Sequence, residues 1–163
     1  MIEQRIQALF REAVFKTAVQ GTRCGMGNTD DPGGFYCLYT NAAGQHCAVG
    51  HALTPELQEL VGDSLVRASV LIAKYPGVQH HLGADLTKEY ADDPHQRIWS
   101  KLQSIHDDLV DGCRKGRDYN PYHRPFGVSW SAWFWYRARS LSQQFGFDIG
   151  NYPRAEVRNA QAA

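Results

Sequence analysis

The chain has 163 residues with 17 Lys and Arg against 17 Asp and Glu, a formal net charge of zero, which removes any global electrostatic argument for nucleic acid or an anionic membrane. That length suits one domain, able to bury about two-thirds of its unfolded surface without disulfides. No stretch approaches the roughly 18 consecutive apolar residues of a membrane span. The start, Met1-Ile2-Glu3-Gln4-Arg5, is not the basic-then-apolar pattern of a secretion signal, so a cytosolic location is expected. Cys24, Cys37, Cys47 and Cys113 are then expected as thiols or metal ligands.

In chain order, Ile2, Ile6, Leu9, Phe10, Ala13 and Thr17 recur at helical spacing, and Gly21 is a plausible stop. Residues 22–34, rich in Gly, Asn and Asp, predict a loop that carries Cys24. Tyr36 to His51 reads as one β-hairpin, because Asn41 and Gly44 occupy the first and last positions of a type I turn between aromatic, β-branched or small residues. With Gly44 left-handed, Asn41 opposes Gln45, Tyr39 opposes Cys47 and Cys37 opposes Val49. Cys37 and Cys47 then share a face as diagonal neighbours roughly 7 Å apart.

Thr54-Pro55-Glu56 is a helix start with a hydroxyl cap, running to Val61. Asp63 can cap a second helix with Leu65, Val66, Ser69, Val70 and Ala73, ended by Tyr75-Pro76-Gly77, before a polar stretch to about Pro94. Ile98, Leu102, Ile105, His106, Leu109 and Val110 form one apolar stripe, which turns His106 inward. A long connection marked by Gly112, Gly116, Pro121, Pro125 and Gly127 leads to a final helix capped by Ser129 and stopped by Gly146. The expected fold is a single mostly helical α+β domain over 1–154, with one β-hairpin packed against about five helices, and a flexible tail over 155–163.

Three readings compete for the hairpin chemistry. Cys37 and Cys47 can be core thiols, small hydrophobes beneath the helices. They can join His51 as zinc ligands, with Cys24 or His46 completing a tetrahedron, although no Cys-x-x-Cys pair supports this. Cys47 can instead be a nucleophile with His106 as base and Asp107 or Asp108 orienting the imidazole, although Asp107 should project about 100° away around the helix and be awkward for holding that ring. His80, His81, His95 and His123 read as isolated and solvated.

The C-terminal third is basic and aromatic: Arg114, Lys115, Arg117, Tyr119, Arg124, Trp133, Trp135 and Arg139 form a candidate binding set, preceded by an acidic region from Asp85 to Asp111. That mixture suits phosphate contacts and stacking, or the anchors of a protein interface. Residues 130–135 hold more aromatic residues than one buried face accommodates, so either Trp133 or Trp135 should be partly exposed.

Cys37-Leu38-Tyr39, then Gly44-Gln45-His46-Cys47-Ala48-Val49-Gly50, and later Ile105-His106-Asp107, resemble a group of small uncharacterised proteins of bacteriophages and prophages. The resemblance implies an accessory binding protein in a bacterial host cytosol. Its role would be inhibition of a host defence system or host enzyme, by engaging a host protein or nucleotide-bearing complex. A cysteine-dependent hydrolase or transferase using Cys47 and His106 is the alternative, and a small zinc protein the third. No cofactor is expected on the leading reading, nor a membrane partner, nor sequence-specific DNA binding.

Overall fold

The computed structural model describes residues 1–22, 24–27, 35–62, 64, 66–111 and 127–163, with the backbone alone at 25–27, 35–37 and 108–111. Helix α1, Gln4–Gln20, follows from the predicted stripe and buries Ile6, Phe10, Ala13, Val14, Thr17 and Ala18. It stops at Gly21, whose left-handed φ of 71° lets its N–H reach the Thr17 carbonyl.

Strands β1, Gly25–Gly27, and β2, Phe35–Cys37, pair antiparallel with Cys37 opposite Gly25. The β-hairpin expected over 36–51 does not form. Its turn is present: Gly44 has φ 73°, the Asn41 N–H donates to the Gln45 carbonyl at 3.0 Å, and Cys47 N–H reaches the Tyr39 carbonyl at 3.3 Å. Beyond one bridge, Thr40 with His46, the second arm never becomes a strand. Helix α2, Ala48–Ala52, begins there instead, because the Cys47 sulfur accepts the Gly50 N–H at 3.2 Å and caps it. The backbone of Cys37 therefore pairs with Gly25, not Val49.

Helix α3, Pro55–Val61, has the predicted Thr54 cap. Helix α4, Ala68–Lys74, begins after Arg67, while the proposed Asp63 cap and Leu65 lie outside the described residues. Pro76 does end α4, but it also opens α5, Pro76–Leu82, inside the stretch expected to be irregular. A 3-10 turn at Tyr90–Asp92 leads to α6, Pro94–Asp111. The buried Asp93 carboxylate starts α6 by accepting the N–H groups of His95 at 2.9 Å and Gln96 at 3.2 Å. Helix α7, Trp130–Gln144, carries the predicted Ser129 cap, and α8, Arg154–Ala162, replaces the expected tail.

The α+β expectation is thus corrected to a mostly helical fold of eight α-helices among the described residues, whose strands are three residues each. Helix α1 packs on α2, α7 and α8, and α6 packs on α7, α4 and α2. Phe10 joins the two halves through Trp99, at 5.8 Å between centroids, and Phe147, at 5.5 Å. The Trp99 indole N–H is satisfied by the Leu82 carbonyl at 3.0 Å. Helix α8 docks through buried Val157 and through Gln161, whose amide donates to the Ala18 carbonyl at 3.0 Å. Among the described residues no helix is long and apolar enough to cross a membrane.

Candidate functional site

The motif residues of the turn meet α1 and α6 in one seam. Gln20, at the end of α1, grips His46 from both sides: its carbonyl accepts the His46 N–H at 2.9 Å and its amide donates to the His46 carbonyl at 2.9 Å. The same Gln20 carbonyl accepts from His51 Nε2 at 3.1 Å. The two imidazoles meet edge to face at 5.2 Å, and His46 Nδ1 lies 2.9 Å from the Thr40 hydroxyl.

Cys24, Cys47, His46 and His51 are each biased towards the neutral form. Burial pushes the Cys47 thiol far up, the Gly50 N–H opposes this weakly, and the Asp107 charge adds to the rise. Cys24, whose thiol donates to the Gln45 carbonyl at 3.0 Å, is pushed up to about 11, chiefly by burial. His51 is pushed down to about 3 by burial, helped by His46, Lys16 and His106, and burial also lowers His46.

His106 is buried, with Trp130 and Phe134 edge-on to its ring at 5.9 and 6.3 Å. Its Nδ1 lies 3.1 Å from Asp107 Oδ1, so the adjacent carboxylate does reach the ring. Gln103 also donates to that oxygen, at 2.8 Å. Cys47 caps α2, and His106 and Asp107 lie on α6, which packs on α2. Burial that raises the Cys47 thiol this far favours its protonated form at neutral pH.

The described members of the zinc set have other partners. Cys47 is engaged as a cap, His51 holds Gln20, and the Cys37 side chain lies outside the described residues. No group of three His, Cys, Asp or Glu among the described residues is arranged for a metal. Cys113 and His123 lie outside the described residues. Of the remaining histidines read as solvated, His80 is exposed, but His95 is buried and bridges the Gly83 carbonyl, at 2.7 Å from Nδ1, to the Glu3 N–H, at 3.4 Å from Nε2. His81 donates to the Ala52 carbonyl at 2.7 Å.

Of the basic aromatic set, Arg114, Lys115, Arg117, Tyr119 and Arg124 lie outside the described residues. Trp135 is core, 4% exposed, with its indole N–H on the Gly150 carbonyl at 3.2 Å. Trp133 is the partly exposed tryptophan, with the Arg137 guanidinium 5.9 Å from its ring centroid. Arg139 is committed internally, gripping both Asp148 oxygens at 2.9 Å and the Asn151 side chain at 2.9 Å. That fork holds the Asp148 carboxyl well below its usual range.

An open pocket of about 460 Å³ lies between the start of α7 and one face of α8, lined by Ser129, Tyr136, Tyr152, Arg154, Arg158 and Gln161 among others, with no carboxylate among its described lining residues. Neither Arg154 nor Arg158 has a side-chain hydrogen bond or ion pair with another described residue, and Tyr136 is 50% exposed. Arg154 and Arg158 were hidden in a segment whose one buried residue is Val157. The signal available was the spacing of the arginines, four apart and therefore on one helical face.

No family model, curated protein or solved structure matches the chain. The phage and host-defence assignments expected from the resemblance gain no support from the comparisons or from this fold, and the hairpin on which that motif was placed is absent.

Proposed function

We propose that this chain is a non-enzymatic binding protein that engages an anionic partner through the α7–α8 end of the molecule. The observation that carries the reading is the pocket wall of Arg154 and Arg158, two exposed cations uncompensated by any described carboxylate and set beside exposed Tyr136. Arginine and tyrosine on a rigid helical frame are the residue types that anchor interfaces. The raised thiol of Cys47 supports the non-enzymatic side, because the one nucleophile suggested by the sequence is buried and protonated. Cys47, a buried thiol, fits a reducing compartment such as the cytosol.

The test is a tagged pull-down from cell lysate, comparing wild type with the Arg154→Glu/Arg158→Glu double variant, each with and without nuclease. Both positions are exposed, so the variant should keep its helical circular dichroism. The expected result is a stoichiometric partner held by wild type, weakened by salt and lost in the variant. Equal capture by both proteins, or none by either, overturns the proposal.

A further inference from the structure

Taking the α7–α8 end as the binding site, we infer that its pocket receives a nucleoside phosphate, with the phosphate on Arg154 and Arg158 and the base against Tyr136 and Tyr152. The inference rests on the preceding reading and narrows it. A volume of about 460 Å³ falls within the range of small-molecule and cofactor pockets, roughly 300–1,000 Å³. The two guanidiniums can share one phosphate as forked donors. The first turn of α7, which contributes Ser129 and Ala132 to the lining, adds the positive end of a 15-residue helix.

The aromatic pair distinguishes this ligand from a plain anion. The Tyr136 and Tyr152 rings stand 6.4 Å apart, tilted by 49°, so they do not close face to face upon one another. Tyr152 is steadied from behind by Trp135 at 6.2 Å, and Tyr136 is half exposed. Inorganic phosphate would use the arginines and leave these rings idle, whereas a nucleotide adds a planar base that can stack against them. Gln161 supplies a polar contact of defined sense: its amide nitrogen already donates to Ala18 and Ser131, so its carbonyl oxygen is the group left to accept from a base or sugar donor.

Calorimetric titration with AMP, adenosine and inorganic phosphate tests the inference on the full chain. AMP should bind saturably, with adenosine and phosphate each at least about tenfold weaker. Arg158→Gln should weaken both AMP and phosphate by about tenfold, while Tyr136→Ala weakens AMP by about tenfold and leaves phosphate unchanged. AMP binding no tighter than phosphate, or insensitive to Tyr136→Ala, overturns the inference. If AMP fails while partner capture still depends on Arg154 and Arg158, only the ligand class falls. If AMP binds as described but nothing is captured, the macromolecular reading falls and the nucleotide site stands. A 5′-phosphorylated oligonucleotide that displaces AMP identifies a nucleic-acid end as the source, and one that does not identifies free nucleotide; both agree with the site.

Discussion

Gly50 shows how one missing side chain sets the geometry of the α1–α2–α6 seam. A Cβ there would collide with the Tyr39 carbonyl oxygen, and would come within 3.1 Å of its carbonyl carbon and 3.3 Å of His46 Cβ. The opposing backbone has little room to retreat: Tyr39 is 1% exposed, its hydroxyl donates to the Val66 carbonyl at 2.8 Å, and its own carbonyl accepts from Cys47. Gly50→Ala should therefore destabilise the protein by about 2–3 kcal/mol through overpacking, against a gain in helix propensity of about 1 kcal/mol already counted in that figure. Urea unfolding measures it, and an unchanged or higher midpoint would mean that α2 does not rest on the turn in this way. Cys47 has a related logic. Serine is the commoner cap, but this position is fully buried, where a sulfur accepts the Gly50 N–H at a lower desolvation cost than a hydroxyl.

Helix α7 sorts neighbouring aromatic residues to opposite fates. Trp135 lies under the 145–152 segment with its N–H satisfied, whereas the next residue, Tyr136, is half exposed. Trp135→Ala should cost about 3–5 kcal/mol and lower the thermal midpoint sharply, while Tyr136→Ala should cost under about 1 kcal/mol. Similar losses for both would contradict the assigned faces. The same helix explains what could be read from sequence. α1, α6 and α7 are long and carry an apolar stripe of period 3.6, and Gly21 ends α1 while Ser129 starts α7, so local pattern and final structure agree. α2 is five residues long and capped by an unusual cysteine, and its small apolar residues also suit a strand end, so the turn at Asn41–Gly44 was legible but its exit was not. α8 has one buried apolar residue and is secured by tertiary contacts of Val157 and Gln161, which no local pattern announces. The candidate pocket was missed for that reason: its arginines sit on the helix that resembled a tail.

At the scale of the whole molecule, the buried seam makes stability a function of pH on both sides of neutrality. His51 in the folded protein lies near 3, below its ordinary 6.5, and His46 is lowered in the same direction. Between those limits the unfolded chain binds more protons than the folded one, so stability falls as pH drops from about 6.5, by up to about 1.4 kcal/mol per pH unit for one fully developed group. Asp148 and Asp85, both lowered by their hydrogen-bond partners, extend the loss only below the ordinary 3.8 of a carboxyl. The window from pH 6.5 to 4.5 thus belongs to the imidazoles. On the alkaline side, the raised thiols of Cys24 and Cys47 stay protonated in the fold while the unfolded chain releases protons above about 9, so stability falls again. Urea midpoints measured across pH should form a plateau between these limits. His51→Gln, which keeps an amide donor for Gln20, should flatten the acid limb between pH 6.5 and 4.5 and leave the alkaline limb in place. An acid limb of unchanged slope in that variant would remove His51 as its cause and shift the effect to His46, the imidazole that Gln20 holds by its backbone.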